Sequence, residues 1–139
     1  MSKVLIIGAH GKVALQAAPR LAAAGHEVSG VIRKEEQSDD LRDAQATPVV
    51  ADVEHLSTDE IAEVMRGFDT VVWSAGAGGG SPERTWAVDR DAAIRAVDAA
   101  AQGDPSRFVM VSYFGAGPDH GVPEDNDFYA YAQAKTEAD

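Results

Sequence analysis

Residues 4–14 are Val-Leu-Ile-Ile-Gly-Ala-His-Gly-Lys-Val-Ala, a short apolar run followed by a turn that contains two glycines. The run is continuous rather than alternating, which is typical of a parallel strand buried on both faces. An alanine-rich segment, 12–24, follows and ends at Gly25, a common residue after a helix. Pro19 lies inside this segment and is expected to weaken the helix, by about 3 kcal/mol in an ordinary helix interior. The stretch nevertheless predicts a strand, a glycine turn and a helix in direct succession.

The same alternation of strands and helices continues along all 139 residues. Short apolar runs predict strands at 4–7, 28–32, 48–50, 70–73 and 108–111, and helical segments are predicted at 12–24, 35–46, 57–66, 82–102 and from 127 to the end. Ser57 and Glu60 form a capping-box pattern at the start of the third helix. Strands that alternate with helices predict right-handed crossovers and a parallel sheet. We therefore expect one α/β domain over 1–139, a Rossmann-type, doubly wound, three-layer αβα fold with strand order 3-2-1-4-5.

The turn after the first strand has the pattern G-x-x-G-x-x-A over residues 8–14. Gly8 allows a sharp turn, Gly11 lets a phosphate approach the backbone, and Ala14 lets the helix lie close to the strand. The N-terminus of the helix supplies free N–H groups and the positive end of the helix dipole. The pattern thus predicts a dinucleotide site that includes Gly8, Ala9, His10, Gly11, Lys12 and Val13. The alternative is a tight turn that binds nothing, and the position after a buried N-terminal strand favours phosphate binding.

The end of the second strand indicates which dinucleotide is bound. An NAD site usually has an acid there, roughly 20 residues after the turn, to bind the ribose 2′-hydroxyl. This strand ends in Ile32-Arg33-Lys34, with no acid before Glu35. Arg33 is suited to bind a 2′-phosphate, with His10 and Lys12 nearby; the alternative is that Arg33 and Lys34 are a solvated strand end. We therefore predict NADP in preference to NAD.

Residues that follow the third and fourth strands complete the predicted cofactor site. Asp52 and Val53 come where the adenine lies in this fold, and Asp52 could instead cap a turn. Ser74, Ala75 and Gly76 follow the fourth strand and pass over the crevice at the carboxyl ends of the strands. These small residues allow a cofactor to lie against the backbone.

Composition excludes several other functions. The net charge of -11 disfavours nucleic acid and anionic membranes as partners, and there is no cysteine for disulfides, thiolate catalysis or thiolate metal sites. The four histidines are scattered without metal-ligand spacing, so no metal site is predicted. Neither a signal peptide nor an apolar run near the roughly 20 residues of a membrane span is recognisable. We expect a cytoplasmic protein with a small-molecule substrate.

These motifs resemble the short-chain dehydrogenase/reductase superfamily. The similarity is greatest to its atypical branch, described as NAD(P)H-binding or NAD-dependent epimerase/dehydratase-like. The matching stretches are 4–14, 31–33, Asp52, 74–80, 108–116 and 131–135. The resemblance implies an NADP-dependent oxidoreductase or epimerase/dehydratase-like enzyme that acts on a small carbonyl or hydroxyl compound. A non-catalytic NADP-binding redox-sensing or regulatory module, and a structural domain that binds no nucleotide, remain alternatives.

The resemblance also implies catalytic residues. The family uses a Tyr-x-x-x-Lys pair, which Tyr131 and Lys135 match, and residues four apart share a helix face, so the ammonium can lower the pKa of the phenol. The alternative is an ordinary surface pair. Tyr113 occupies the usual place of a serine that orients the substrate oxygen, and Ser112 takes this role if the register differs by one. Asp89 lies where many relatives have asparagine.

Two further expectations concern the extent of the protein. Relatives continue beyond the Tyr-x-x-x-Lys helix with a strand and helices that line the substrate pocket, whereas this chain ends at Asp139. We therefore expect a C-terminally truncated protein without its substrate-binding part. Relatives often dimerise through helices at the position of 82–102, so the resemblance also implies a homodimer.

Overall fold

A computed structural model describes residues 1–76, 81–112, 116–126 and 129–139. The strands are β1 (Lys3–Ile7), β2 (Glu27–Ile32), β3 (Thr47–Val50), β4 (Thr70–Trp73) and β5 (Arg107–Met110). The helices are α1 (Lys12–Ala23), α2 (Ser38–Asp43), α3 (Thr58–Met65), α4 (Pro82–Thr85), α5 (Ala93–Gln102) and α6 (Tyr129–Ala138). A single 3₁₀ turn, Glu35–Gln37, precedes α2, and a π-helical segment, Trp86–Ala92, joins α4 to α5.

The five strands form one parallel sheet in the order β3-β2-β1-β4-β5, which confirms the predicted order 3-2-1-4-5. Hydrogen bonds continue past the carboxyl ends of the strands. Ala9 N–H donates to Val31 O at 3.0 Å, and Ser74 N–H donates to Ile7 O at 2.8 Å. These bonds hold the segments after β1 and β4 at one edge of the sheet, where the functional site lies.

Two hydrophobic layers cover the sheet, as the continuous apolar strands predict. Alternate residues of β1 point to opposite faces. Leu5 and Ile7 pack with the helices α3 and α5, whereas Val4 and Ile6 pack with α1 and α2. Since β1 is buried on both faces, an alternating polar position is not tolerated there. The arrangement confirms the three-layer αβα architecture.

The elements differ from the predicted ones in detail. The second predicted helix, 35–46, is a 3₁₀ turn followed by the short α2, and the chain leaves it through Gln45 in the left-handed region at φ 64°. The predicted helix 82–102 is continuous but includes the π-helical segment. The last helix is described from Tyr129, and its predicted start near residue 127 lies outside the described residues.

The first helix tolerates the proline inside it. Pro19 lies within α1, which runs without a break from Lys12 to Ala23. Proline has no N–H, so the carbonyl of Leu15 loses its usual helical donor, but burial of Ala14 and Ala18 against the sheet keeps the helix in place. Among the described residues, no helix has the length and apolar character that crossing a bilayer requires.

Candidate cofactor site

The turn between β1 and α1 has the geometry that the glycine pattern predicts. Gly8 has φ +81°, and a Cβ atom placed there would lie 2.4 Å from Ala75 Cα. Any side chain at this position would therefore collide with the backbone that follows β4. Gly11 is the N-cap of α1 and donates its N–H to Gly8 O at 3.2 Å. The turn and the segment after β4 thus touch, and together they form the floor of a cleft.

The N-terminus of α1 follows directly from this turn. No side chain caps it, and its first turn contains no acidic residue. The first N–H groups of a helix have no partner within the helix and lie at the positive end of its dipole. A helix of this length that opens into a cleft can therefore bind a phosphate group.

The cleft has a volume of about 270 Å³ and lies at the carboxyl ends of β1, β2, β3 and β4. It contains most of the predicted cofactor residues: Gly8, His10, Gly11, Arg33, Asp52, Val53, Ser74, Ala75 and Gly76. Ala9 is buried in the core below it, and Lys12 and Val13 lie outside its lining, with Val13 57% exposed. The carboxyl edge of a parallel sheet is where open α/β folds bind ligands.

Two of the predicted residues make local contacts that limit their other roles. The ring of His10 is within 2.7 Å of Asp40 Oδ2 and 3.2 Å of Gln37 Nε2, so both ring nitrogens are engaged by neighbours. Asp52 accepts a hydrogen bond from Glu54 N–H at 3.2 Å and lies 2.8 Å from His55 Nδ1. Asp52 therefore caps its turn, as the alternative interpretation predicted, while it also lines the cleft.

Two charged residues of the cleft were missed from the sequence. Glu54 Oε2 accepts a hydrogen bond from Arg84 Nη2 at 3.1 Å and lies 3.8 Å from Arg33 Nη1. We call Arg33, Glu54 and Arg84 the Glu54 cluster. Arg84 comes from α4, beyond the loop after β4, and nothing in the local pattern marks it. The sequence signal that could have found Glu54 and Arg84 is that each follows a predicted strand, at the carboxyl edge of the sheet.

Arg95 fixes the backbone that carries Glu54. This arginine of α5 donates from Nε to Leu56 O at 3.1 Å and from Nη2 to Glu54 O at 3.0 Å. Hydrogen bonds from a cation to carbonyl oxygens are stronger than neutral ones. The segment after β3 is therefore held against α5, and the side chain of Glu54 is presented to the cleft from a fixed backbone.

Lys135 and Asp89 form a buried charged region beside the cleft. Lys135 of α6 is 1% exposed and Asp89 of the π-helical segment is 2% exposed. A Cβ atom placed at Gly76 would lie 3.1 Å from Asp89 Oδ1, which puts this carboxylate directly behind the cofactor cleft. Burial lowers the pKa of Lys135, whereas the negative charges of Asp89 and Asp139 act to raise it.

The other predicted catalytic residues have different placements. Tyr131 lies on α6, half-buried, four residues before Lys135. The hydroxyl of Ser112 donates to Asp139 Oδ2 at 2.7 Å. Tyr113 lies outside the described residues. Ser112 follows β5 and therefore lies at the same edge of the sheet as the cleft.

One group of potential metal ligands occurs among the described residues. Single ligand atoms of Asp52, Glu54 and His55 lie within 4.8 Å of one another. These atoms already have partners, since Asp52 contacts His55 and the Glu54 carboxylate lies beside the guanidinium groups of Arg33 and Arg84. Two guanidinium groups beside the Glu54 carboxylate disfavour binding of a metal cation there. We therefore interpret Asp52, Glu54 and His55 as part of an internal charge network.

Comparison with known sequences identifies the family. The profile of a family described as NAD(P)H-binding matches residues 8–139, which include the glycine turn and α6. The chain belongs to this NAD(P)H-binding family. Membership confirms the resemblance to the atypical dehydrogenase/reductase branch and the Rossmann-type fold.

Individual proteins are also similar to this NAD(P)H-binding domain in sequence. The domain is 38% identical over 116 residues to YhfK of Bacillus subtilis, which is named an uncharacterized sugar epimerase. This alignment covers 79% of this chain and 52% of YhfK. The domain is 36% identical over 115 residues to a UPF0659 protein of Schizosaccharomyces pombe, covering 81% of this chain and 47% of that protein. The chain therefore spans about half the length of these relatives.

A solved structure gives the same result. A Bacillus halodurans protein whose name assigns it to the NAD-dependent epimerases/dehydratases superposes with a TM-score of 0.88 at 33% identity. The superposition covers 99% of this chain and 63% of that one. The domain thus belongs to an NAD(P)-binding, oxidoreductase and epimerase-like family.

Proposed function

We propose that this domain binds NADP, with the pyrophosphate at the N-terminus of α1 and the adenosine 2′-phosphate at Arg33. The observation that supports this most directly is the uncapped N-terminus of α1, which opens into the cleft between Gly8, Gly11 and Ala75. This turn suits a dinucleotide because a pyrophosphate is bound by the free N–H groups and the dipole of a helix N-terminus, and because Gly8 and Gly11 have no Cβ to block its approach. Arg33 lies at the cleft with its side chain 48% exposed, so its guanidinium is accessible to a phosphate.

We further propose that the whole protein is a dehydrogenase/reductase or epimerase/dehydratase-like enzyme for a small carbonyl or hydroxyl compound. The bound dinucleotide would supply the hydride donor or acceptor. Tyr131 would give or take a proton at the substrate oxygen, and the positive charge of Lys135 would stabilise its phenolate. Ser112 or Tyr113 would donate a hydrogen bond to the same oxygen. The alternative, a non-catalytic NADP-binding regulatory module, uses the same cleft but needs no proton donor.

A titration of the domain with NADPH and NADH tests the cofactor proposal. We expect both to bind, since they share the pyrophosphate, and NADPH to bind more tightly. Arg33→Ala should weaken NADPH binding about tenfold and NADH binding little, because only NADPH carries the 2′-phosphate. A charge-assisted hydrogen bond contributes about 1.5–3 kcal/mol to such binding. Arg42→Ala is the matched control, since Arg42 pairs with Asp39 on α2 and lies outside the cleft. Equal losses of both dinucleotides in Arg33→Ala would contradict the assignment of Arg33.

A further inference from the structure

The Glu54 cluster places an acid where the second strand lacks one. Arg33 directly follows β2, where an acid would bind the ribose 2′-hydroxyl of NAD. The structure brings the carboxylate of Glu54 to 3.8 Å from the Arg33 guanidinium, from the segment after the neighbouring strand β3. The side chain of Glu54 is only 16% exposed, which indicates a defined position rather than a freely solvated one. The Glu54 cluster therefore contains both a cation that can bind a phosphate and a carboxylate that can accept a hydrogen bond from a hydroxyl.

We propose that Glu54 sets the discrimination between NADP and NAD in this domain. Its carboxylate competes with a 2′-phosphate for Arg33 and repels that phosphate, whereas it can accept a hydrogen bond from a 2′-hydroxyl. Both effects favour NAD, and they therefore oppose the preference for NADP that Arg33 creates. The inference rests on the proposed binding of a dinucleotide with its adenosine ribose at Arg33.

Arg84 acts in this arrangement as a positioning residue. It donates to Glu54 Oε2 at 3.1 Å, a hydrogen-bond distance, whereas the distance of 3.8 Å from Arg33 is longer than a hydrogen bond. Glu54 is thus bound to Arg84 more closely than to Arg33, and Arg33 keeps donors available for a ligand. Loss of Arg84 would release the carboxylate to pair with Arg33 and would strengthen its competition with the phosphate.

The main test is the Glu54→Gln variant, titrated with NADPH and NADH at one fixed salt concentration. Glutamine has nearly the same shape, and the backbone carbonyls that Arg95 binds are unchanged. We expect NADPH to bind about fivefold more tightly, as for a partly exposed charge pair, and NADH to bind equally or more weakly. Glu63→Gln is the matched control, because Glu63 also pairs with an arginine, Arg66, but lies on α3 outside the cleft. It should leave the ratio of the two affinities unchanged.

A double-mutant cycle tests the role of Arg84. Arg84→Ala in the native background should weaken NADPH binding about threefold and leave NADH binding unchanged, because a partly exposed charge pair contributes little to affinity. The same substitution in Glu54→Gln should change neither affinity, since no carboxylate remains to be positioned. Equal weakening of NADPH in both backgrounds would show that Arg84 contacts the cofactor directly and would overturn its positioning role.

The outcomes separate this inference from the proposed function. If NADPH and NADH both bind and Glu54→Gln leaves the ratio of their affinities unchanged, the role of Glu54 is wrong while the dinucleotide site stands. If Glu54→Gln weakens NADPH, the carboxylate does not compete with the phosphate and the inference is likewise overturned. If neither dinucleotide binds to the native domain, the proposed function and this inference both fail.

Discussion

Lys135 is a single buried residue whose charge depends on its neighbours. Its side chain lies 1% exposed on α6, and burial disfavours the ammonium form, which lowers the pKa. Asp89 and Asp139 act in the opposite direction. The proposed role of Lys135, to stabilise a phenolate on Tyr131, requires the charged form. Asp89 therefore supports this role from the π-helical segment, although it stands where many related enzymes have asparagine.

The lowered pKa of Lys135 predicts a pH-dependent stability. The unfolded chain keeps the lysine proton up to about pH 10.4, whereas the folded domain releases it at lower pH. Between these two pKa values the unfolded state binds more protons, so this lysine makes the free energy of unfolding rise with pH. Below both values lysine is charged in either state and contributes no slope.

Urea unfolding of the native domain and of Lys135→Met from pH 8 to 10.5 measures this effect. We expect the native domain to gain stability relative to the variant as pH rises, by at most about 1.4 kcal/mol per pH unit. Lys34→Met removes an exposed lysine instead and serves as the control. If the free energy of unfolding depends on pH in the same way for the native domain and for Lys135→Met, the lowered pKa of Lys135 is contradicted.

Among the secondary-structure elements, α1 carries the proposed pyrophosphate site at its N-terminus. Its N-terminus has neither a side-chain cap nor an acid, which leaves its dipole uncompensated. By contrast, α3 has a capping box in which Ser57 and Glu60 satisfy each other's N–H groups, at 3.2 Å and 3.1 Å. The free N-terminus of α1 is therefore a local cost in stability that a bound phosphate would offset.

This contrast predicts opposite effects of an acid in the first turn of α1. Val13 is 57% exposed and lies in that turn, so Val13→Glu should fit without a clash. Its charge should stabilise the free domain by about 0.3–1 kcal/mol and weaken NADPH and NADH alike, about threefold, because both carry the pyrophosphate. Thermal unfolding and cofactor titration measure the two effects, with Val13→Gln as the uncharged control. Unchanged binding would place the pyrophosphate elsewhere.

At the level of the whole molecule, the proposed cofactor cleft and the proposed substrate contacts come from different parts of the chain. The described fold supplies the cleft and α6, and the chain spans 52% of its Bacillus subtilis relative. Substrate contacts are therefore expected from the remaining length of such proteins. Turnover is a property to be tested on the full-length protein, whereas cofactor binding can be measured on this domain.

Tyr131→Phe in the full-length protein tests the catalytic proposal. Loss of a general acid–base group is expected to lower turnover of carbonyl compounds about 10²–10⁴-fold, with NADPH affinity unchanged. Tyr129→Phe is the matched control, since Tyr129 lies on the same helix and its ring contacts that of His120 at 5.8 Å between centroids. A full-length protein that binds NADPH and retains turnover without Tyr131 would refute its role. One that binds NADPH and turns over no carbonyl compound would favour the regulatory module.

The architecture and the turn were accessible from the amino-acid order because they depend on local patterns. Continuous apolar strands, the glycines Gly25 and Gly103 just after helices, and the capping box at Ser57 are short-range features. The strand order is that of the Rossmann-type fold, which the alternation of strands and helices and the glycine turn indicate. The sharp turn at Gly8 was predictable for the same reason. The prediction of NADP from the missing acid at β2 used only neighbours of Arg33 in the chain.

The contacts that surround the ligand position were not accessible in this way. Glu54 and Arg84 come from two different crossovers and meet Arg33 only because parallel strands bring their carboxyl ends to one edge. Asp89 and Lys135 are 46 positions apart and form a buried charged region through packing of α6 against the π-helical segment. Local order thus specified which elements form, while the three-dimensional packing specified which charges face each other, because electrostatic energy depends on distance in space.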